Sequence, residues 1–261
     1  KGDRVAVMMP NLLAFPIAFL GIIRAGAVQA NVNPLYTPRE LEHQLTDARC
    51  ETIVIFGGVT ATLAEIAART PLKTIVTVDL ADGSAAKIPS PPVDARLAGS
   101  VRFADALAQG AGMTLTPVPL AGDDLLFLQY TGGTTGPSKG AALSHRNLVA
   151  NAEQFKALAG SALHPGDEVI VTALPLYHIF ALMVNFITYF SVGADNWLVP
   201  NPRDMDAFIE VMKAARPTAF MGVNTLYAGL VAHPRSREID FSRLRLAGGG
   251  GAAVIGTVSD K

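Results

Sequence analysis

The chain has 261 residues, of which half are hydrophobic and only 16 % are charged. Soluble domains average about a quarter charged residues, so this chain is unusually apolar. Its length is enough for one large core or two joined lobes, which excludes disorder as its main description. The formal net charge of −1 provides no positive field that would attract nucleic acid, and a single cysteine, Cys50, excludes an internal disulfide.

Short β-branched runs alternate with helical patterns through most of the chain, beginning at the first residues. In the first half the predicted strands are residues 4–9, 27–32, 52–56 and 73–78, and the predicted helices are 11–25, one capped by Thr37, and 60–69. In the second half the predicted strands are 124–130, 140–143, 167–172, 218–222 and 243–247, and the predicted helices are 103–109, one capped by Ser144, one from His178, 204–215 and 225–233. This alternation predicts an α/β fold of largely parallel sheets covered by helices.

The apolar composition raises the question of a membrane span. Residues 169–194 carry no charge if His178 is neutral, and that length is enough to cross a bilayer. The segment contains Pro175 and Asn185, however, and begins with a β-branched run, so a buried strand followed by a buried helix is favoured. Residues 5–23 are also uncharged but are interrupted by two prolines and an asparagine.

Between residues 79 and 122 the alternation gives way to Ala, Pro, Gly and Ser, apart from the helix at 103–109. We interpret this stretch as a connection between two stacked lobes. The predicted first lobe is 1–110, with its connecting segment starting near residue 79, and the predicted second lobe is 111–261.

Residues 130–140 read Tyr-Thr-Gly-Gly-Thr-Thr-Gly-Pro-Ser-Lys-Gly and follow a predicted buried strand. The loop combines backbone-freeing glycines, hydroxyl donors and one cation, which together suit a polyphosphate. These groups are Gly132, Gly133 and Gly136, then Thr131, Thr134, Thr135 and Ser138, then Lys139. It is not a Walker A loop, because the residues flanking the lysine are Ser138 and Gly140. The alternative is an exposed Gly/Thr turn with a chance lysine.

This loop closely resembles the signature loop of the adenylate-forming superfamily, which includes acyl-CoA synthetases, luciferases and the adenylation domains of peptide synthetases. The following residues 141–148, Ala-Ala-Leu-Ser-His-Arg-Asn-Leu, are also similar to that family. The resemblance implies part of the large N-terminal domain of such an enzyme. It implies that the loop holds the β and γ phosphates of ATP, with Lys139 and Thr134 catalytic and Thr134 beside Mg²⁺.

Two further segments occur in the family's order. Residues 174–180, Leu-Pro-Leu-Tyr-His-Ile-Phe, resemble the segment that borders the carboxylate substrate, which implies a catalytic and substrate-binding role for His178. The alternative is an ordinary histidine at a helix start. Residues 222–227 resemble a segment lining the acyl tunnel, which implies substrate contacts for Gly222, Val223 and Asn224. The alternative is that Asn224 and Thr225 only cap a helix.

The last motif is the glycine run after the predicted strand 243–247. The resemblance implies that Gly250, Gly251 and Ala252 let the backbone lie close to adenine, and Gly250 also close to the acyl carbonyl. By pattern alone, residues 248–253 also satisfy the Gly-x-Gly-x-x-Gly/Ala template of NAD or FAD sites. That alternative predicts a Rossmann-type oxidoreductase.

The resemblance is nearest to bacterial long-chain fatty acid CoA ligases. It implies ATP, Mg²⁺ and CoA as cofactors or co-substrates, a fatty acid as the acid, and a cytoplasmic location with peripheral membrane contact left open. The family's Tyr-Gly-x-Thr-Glu and Thr-Gly-Asp motifs, its hinge and its small C-terminal domain do not occur in this sequence. We therefore expect an incomplete N-terminal portion with impaired or no activity of its own. The alternative is an inert nucleotide- or lipid-binding module.

Overall fold

A computed structural model describes residues 1–131 and 138–251. The chain divides after Asn147 into two compact units, Lys1–Asn147 and Leu148–Lys261. Each unit is built around its own β-sheet, and the two sheets account for the alternating strand and helix pattern of the sequence. The predicted α/β class is confirmed.

The first unit contains strands β1 to β7 and helices α1 to α4. The strands are β1 Arg4–Met8, β2 Val28–Asn31, β3 Thr52–Phe56, β4 Thr74–Val78, β5 Val101–Arg102, β6 Leu125–Thr131 and β7 Lys139–Ser144. The helices are α1 Ala14–Arg24, α2 Pro38–Asp47, α3 Thr60–Ala64 and α4 Phe103–Ala111, and helix α5 His145–Ala159 begins before the division and continues past it. In the described residues the sheet order is β5-β4-β3-β1-β2-β6-β7.

The sheet of the first unit is parallel except for β7, which pairs antiparallel with β6. The centre of β1 is buried on both faces, since Ala6, Val7 and Met8 have no exposed surface. Helices α2 and α3 pack on the face that carries Ala6 and Met8, and Phe19 of α1 stacks on Phe127 of β6, as burial of a parallel sheet leads one to expect. This double burial explains the apolar composition.

Three helix boundaries follow the local chemistry that the sequence predicts. Thr37 accepts a hydrogen bond from the Glu40 amide, and the Glu40 carboxylate accepts one from the Thr37 amide, which is a complete capping box at the start of α2. Gly26 follows α1 with φ +70°, a conformation that favours glycine. At α5, Ser144 Oγ accepts a hydrogen bond from the Asn147 amide.

The segment from 79 to 122 stays within the first unit. It contributes β5, which pairs with β4, and α4, and the chain then returns to the sheet through β6. The division after Asn147 therefore lies later than the boundary expected at residue 110. The physical reason is that β6 pairs with β2, a pairing that the apolar pattern of β6 alone does not specify.

The second unit has a sheet of four parallel strands in the described residues, in the order β11-β10-β8-β9. The strands are β8 Val169–Thr172, β9 Asp195–Leu198, β10 Ala219–Gly222 and β11 Leu246–Gly249. Its helices are a π-helix at Ala181–Thr188, α6 Tyr189–Ser191, α7 Met205–Ala215 and α8 Asn224–Ala232. Phe208, Ile209, Phe220 and Met212 form the centre of its core.

Residues 169–194 form strand β8 followed by helical turns, as the favoured interpretation predicts. Among the described residues, we find no helix with both the length and the apolarity needed to cross a membrane. Three elements differ from the predictions, one of them β5, a two-residue strand in a segment where only a helix is predicted. Helix α3 ends at Ala64 and is followed by a short 3-10 turn, and β9 is a strand that the sequence pattern does not indicate.

Candidate functional site

The candidate phosphate loop joins β6 to β7, the two antiparallel strands at one edge of the first sheet. Thr131, the last residue of β6, is the register partner of Lys139, the first residue of β7. Both are exposed. The strand pairing thus brings a hydroxyl and an ammonium group to the loop end of the hairpin. Gly132, Gly133, Thr134, Thr135 and Gly136 lie outside the described residues.

Side chains of helix α2 form hydrogen bonds to the residues at both ends of this loop. The Tyr130 hydroxyl donates a hydrogen bond to Asp47 Oδ2 at 2.5 Å. The carbonyl of Ser138 accepts one from His43 Nε2 at 3.1 Å, and the Tyr36 hydroxyl shares a hydrogen bond with the Ser138 side chain. One helix and the residue before its cap therefore contact both ends of the loop.

The Tyr130 ring crosses the backbone of Gly140, its register partner in β7. A Cβ at residue 140 would lie 2.9 Å from two ring carbons, which is closer than real contacts allow. Burial and the neighbouring Asp47 carboxylate raise the pKa of Tyr130, so its hydroxyl stays protonated and keeps donating. Gly140 is therefore required for this crossing.

A chain of buried amide side chains lies beneath the hairpin. Gln29 Nε2 donates to Asn31 Oδ1 at 2.7 Å, and Asn31 Nδ2 donates to Gln129 Oε1 at 3.0 Å. Gln44 of α2 donates to the Asn31 carbonyl at 2.7 Å. Because Gln129 immediately precedes Tyr130, these bonds tie the base of the loop to β2 and α2.

In the second unit, the candidate substrate residues gather where parallel strands end. Residues 173–178 follow β8, Val223 and Asn224 follow β10, and Gly250 and Gly251 follow β11. The Gly250 amide donates to the Gly222 carbonyl at 3.3 Å. Carboxyl ends of parallel strands form the ligand-binding edge of open α/β sheets, so the three predicted segments share one edge of this sheet.

His178 is exposed at this edge. Its Nδ1 accepts a hydrogen bond from the Phe180 amide at 3.3 Å, so a neutral ring carries its proton on Nε2. His178 therefore makes a hydrogen bond at the start of the following helical turns, which is the role that the alternative gives it. The same contact leaves Nε2 as a donor, so the two roles are compatible.

Aromatic rings lie against the glycines of this edge. A Cβ at Gly250 would lie 2.6 Å from Phe180 Cζ, and a Cβ at Gly222 would lie 2.8 Å from a ring carbon of Tyr227. The Tyr227 hydroxyl donates to the Gly248 carbonyl at 2.8 Å, and burial raises its pKa to about 12. The ring contacts thus fix the backbone of two strand ends.

Helix α8 begins directly at this edge. Its N-cap is Val223, which offers no side-chain hydrogen bond, and Asn224 is its first residue. Asn224 therefore does not occupy the cap position that the alternative assigns to it. Ala252 lies outside the described residues.

A buried charge lies at the opposite end of this sheet, where the parallel strands begin. The Glu168 side chain is 1 % exposed and accepts a hydrogen bond from Arg245 Nη2 at 2.7 Å. It also accepts from the His164 amide at 2.6 Å and from the Thr218 hydroxyl. Glu168, Thr218 and Arg245 directly precede β8, β10 and β11, so the carboxylate joins the starts of the three strands whose far ends carry the candidate residues.

The sequence matches the AMP-binding enzyme family over residues 1–260. The chain is a member of the AMP-binding enzyme family. The glycine run 248–253 is therefore a segment of an AMP-binding enzyme, and the dinucleotide alternative is not retained.

Curated relatives of this AMP-binding chain carry the name long-chain-fatty-acid–CoA ligase. That of Salmonella typhimurium is 44 % identical over 272 residues, with 100 % of this chain and 48 % of the relative covered. That of Bacillus subtilis is 31 % identical over 278 residues, with 100 % and 48 % covered. The chain thus spans about half the length of the curated relatives it matches.

Solved structures of AMP-binding enzymes share the fold. ATP-bound MatB from Rhodopseudomonas palustris has a TM-score of 0.78 and 30 % identity, covering 98 % of this chain and 46 % of that one. The anthranilate CoA ligase AuaEII in complex with anthranoyl-AMP has a TM-score of 0.84 and 24 % identity, covering 98 % and 47 %. These similarities support the assignment of both units to the adenylate-forming fold.

The residues that hold these sites in place are not indicated by any sequence motif. Phe180 and Tyr227 contact the glycines of the second unit, and Tyr36, His43 and Asp47 contact the loop stems of the first. The i, i+4 spacing of His43 and Asp47 on α2 was the one available signal, because it puts both on one helix face. Nothing in that spacing indicates which loop the face meets.

Proposed function

We propose that the whole protein is an AMP-forming acid:CoA ligase, with a long-chain fatty acid as the acid. The observation that carries the proposal is the β6–β7 hairpin with Thr131 opposite Lys139, within a family match over residues 1–260. The 44 % identity to a long-chain-fatty-acid–CoA ligase supports the choice of acid.

Two half-reactions make up the proposed activity. A carboxylate oxygen of the acid attacks the α phosphorus of ATP, and the bond from that phosphorus to the bridging oxygen of pyrophosphate breaks, giving acyl-AMP. The CoA thiolate then attacks the acyl carbonyl and AMP leaves. A free carboxylate resists a thiol because its carbonyl is electron-rich and oxide is a poor leaving group, and AMP formation removes both obstacles.

In this scheme Lys139 neutralises charge on the leaving pyrophosphate, and the hydroxyls of Thr131, Thr134, Thr135 and Ser138 donate to phosphate oxygens. Gly132, Gly133 and Gly136 allow the backbone amides to approach the same oxygens. Such transfers depend mainly on positioning and on charge neutralisation. The exposed position of Lys139, with no ion-pair partner among the described residues, suits this role.

We assign Mg²⁺ to the nucleotide phosphates and the Thr134 hydroxyl. Among residues 1–131 and 138–251 we find no group of three or more His, Cys, Asp or Glu side chains that would hold a metal ion. Mg²⁺ usually binds through substrate phosphates with few protein ligands, so the donor set fits a metal that arrives with ATP. When bound, it would neutralise phosphate charge.

On the acid side, the Nε2 proton of His178 is a donor for the substrate carboxylate. Gly222, Val223 and Asn224 line the tunnel that binds the acyl chain. Gly250, Gly251 and Ala252 provide backbone without bulky side chains beside adenine, and Gly250 also beside the acyl carbonyl. The gathering of these segments at the carboxyl edge of one sheet supports this assignment.

The test is pyrophosphate release by the full-length protein with ATP, Mg²⁺ and a series of fatty and aryl carboxylates. The proposal predicts release that depends on the acid and is greatest for long acyl chains, followed by CoA-dependent thioester formation. No release with any acid would refute the activity. Release only with aryl acids would keep the chemistry and refute the choice of acid.

The second candidate applies to these 261 residues alone, because they span about half the length of the matching ligases. In this alternative the chain binds ATP or lipid without turnover. Calorimetry with MgATP, combined with a pyrophosphate assay on the same sample, distinguishes the two candidates. Binding without release supports the module, and release refutes it.

A further inference from the structure

The loop end of the β6–β7 hairpin lies at one side of its sheet, beyond Gln129, the last residue of β6 whose pairing with β2 is described. In the described residues β7 is the last strand of the sheet and pairs only with β6, and much of its surface is exposed. Thr131 and Lys139 sit at the end of this pair. Their placement therefore depends on contacts from outside the two strands.

Three side-chain hydrogen bonds to the residues next to the loop come from one segment of the chain. Tyr36 and His43 hold Ser138, and Asp47 holds Tyr130. His43 and Asp47 are one turn apart on the same face of α2, and Tyr36 lies just before the cap of that helix. One rigid element thus contacts the residue before Thr131 and the residue before Lys139.

Helix α2 is itself firmly fixed. Leu41 and Leu45 have no exposed surface and belong to the core of the first unit. Gln44, between His43 and Leu45, donates to the carbonyl of Asn31. The capping box at Thr37 fixes where the helix begins. Because α2 is fixed against the core, its contacts also fix the hairpin relative to the core.

We propose that Tyr36, His43 and Asp47 are positioning residues for ATP, acting by holding the Thr131–Lys139 end of the hairpin in register with the core. This inference rests on the proposed function, since it takes Lys139 as a phosphate contact. The Tyr130 ring, which lies over Gly140, transmits the contact from Asp47 across both strands.

The chemistry of each contact allows a conservative variant. His43 donates to a carbonyl, a role that a glutamine amide reproduces, and Asp47 accepts from a hydroxyl, a role that asparagine reproduces. His43→Ala and Asp47→Ala remove the contacts. Glu42→Gln is the matched control, because Glu42 lies on the same helix and pairs with Arg69 instead of the hairpin.

In the full-length protein we expect His43→Ala and Asp47→Ala each to raise the KM for ATP about three- to tenfold, the effect of one lost hydrogen bond. The KM for the acid should stay near wild type, and the melting temperature should fall by only a few degrees. His43→Gln, Asp47→Asn and Glu42→Gln should all keep the wild-type KM for ATP. An unchanged KM for ATP in a folded His43→Ala/Asp47→Ala double variant would overturn the proposal, and so would equal rises for ATP and acid.

Amide hydrogen exchange of the same variants separates this inference from the proposed function. The inference predicts faster exchange at Lys139 and Gly140 in the alanine variants than in Glu42→Gln, with or without ATP. Wild-type protein that releases no pyrophosphate refutes the ligase activity alone. Unchanged exchange in the alanine variants refutes the support by α2, whatever the activity.

Discussion

The two units hold their candidate residues by different means. In the first unit, the loop stems extend from a sheet edge and are held by polar contacts from α2, through His43 and Asp47. In the second, the strand ends are held by rings packed on Gly250 and Gly222 and by a buried charge at the opposite end of the sheet. The first arrangement ties function to a few polar contacts between one helix and the loop stems. The second ties function to the stability of the unit.

The largest expected effect on stability is in the second unit. Arg245→Ala leaves the Glu168 carboxylate buried without its cation, which should lower the free energy of unfolding by about 3 kcal/mol. Arg243→Ala is the control, since the Arg243 side chain is partly exposed and lies 3.4 Å from the exposed Asp167; it should change stability by less than about 0.5 kcal/mol. Denaturant unfolding measures both. Equal effects would show that Glu168 does not depend on Arg245.

The largest expected effect on activity is in the first unit. Lys139→Ala should slow pyrophosphate release by the full-length protein about a hundredfold, a common cost of removing one transition-state donor. Stability should not change, because Lys139 is exposed. Lys73→Ala removes another exposed lysine, paired with Glu51, and should leave the rate unchanged. Wild-type rates in Lys139→Ala would exclude Lys139 from the phosphate site.

A glycine of the second unit tests its close packing. Gly250→Ala forces a Cβ within 2.6 Å of the Phe180 ring and should lower the free energy of unfolding by about 1 to 3 kcal/mol. Adding Phe180→Leu should recover part of the loss, which a double-mutant cycle measures as coupling. Gly21→Ala, in open space on α1, should not destabilise. Additive losses for Gly250→Ala and Phe180→Leu would contradict the contact.

The smallest effect is expected at the start of α2. Thr37→Ala removes the capping box and should cost about 1 kcal/mol, whereas Thr37→Ser should keep the cap. Hydrogen bonds from Thr37 lower the pKa of Glu40, so this stabilisation is present above the ordinary carboxyl range and is lost as the pH falls through the lowered pKa. The difference in the free energy of unfolding between wild type and Thr37→Ala should therefore become smaller at acidic pH. A constant difference would exclude the Glu40 contact as its source.

Most elements of the fold were predictable because their signals are local. The β-branched run 52–56, the cap at Thr37 and the glycine after α1 each act on their immediate neighbours, and all three appear as expected. The pairing of β6 with β2, and hence the division after Asn147, was not predictable, because it joins residues about a hundred positions apart in sequence through Asn31 and Gln129.

The candidate site was predictable to a different extent. Sequence order located the loop and the three segments at the strand ends, since motif residues are contiguous. It did not identify Phe180 on Gly250 or His43 on Ser138, because these contacts depend on how elements pack. Hydrophobic and helical periodicity specify which face of an element is buried, and not which residue lies opposite.

The capping box at Thr37 also restricts how the chain can change in length. An α-helix turns by about 100° per residue, so deleting one residue between Thr37 and His43 would rotate His43 away from the Ser138 carbonyl while the cap still fixed the helix start. A residue inserted between 86 and 89, in exposed irregular chain, would leave the contacts of the loop stems in place. We therefore expect insertions and deletions to be tolerated in that stretch and excluded from the six residues between Tyr36 and His43.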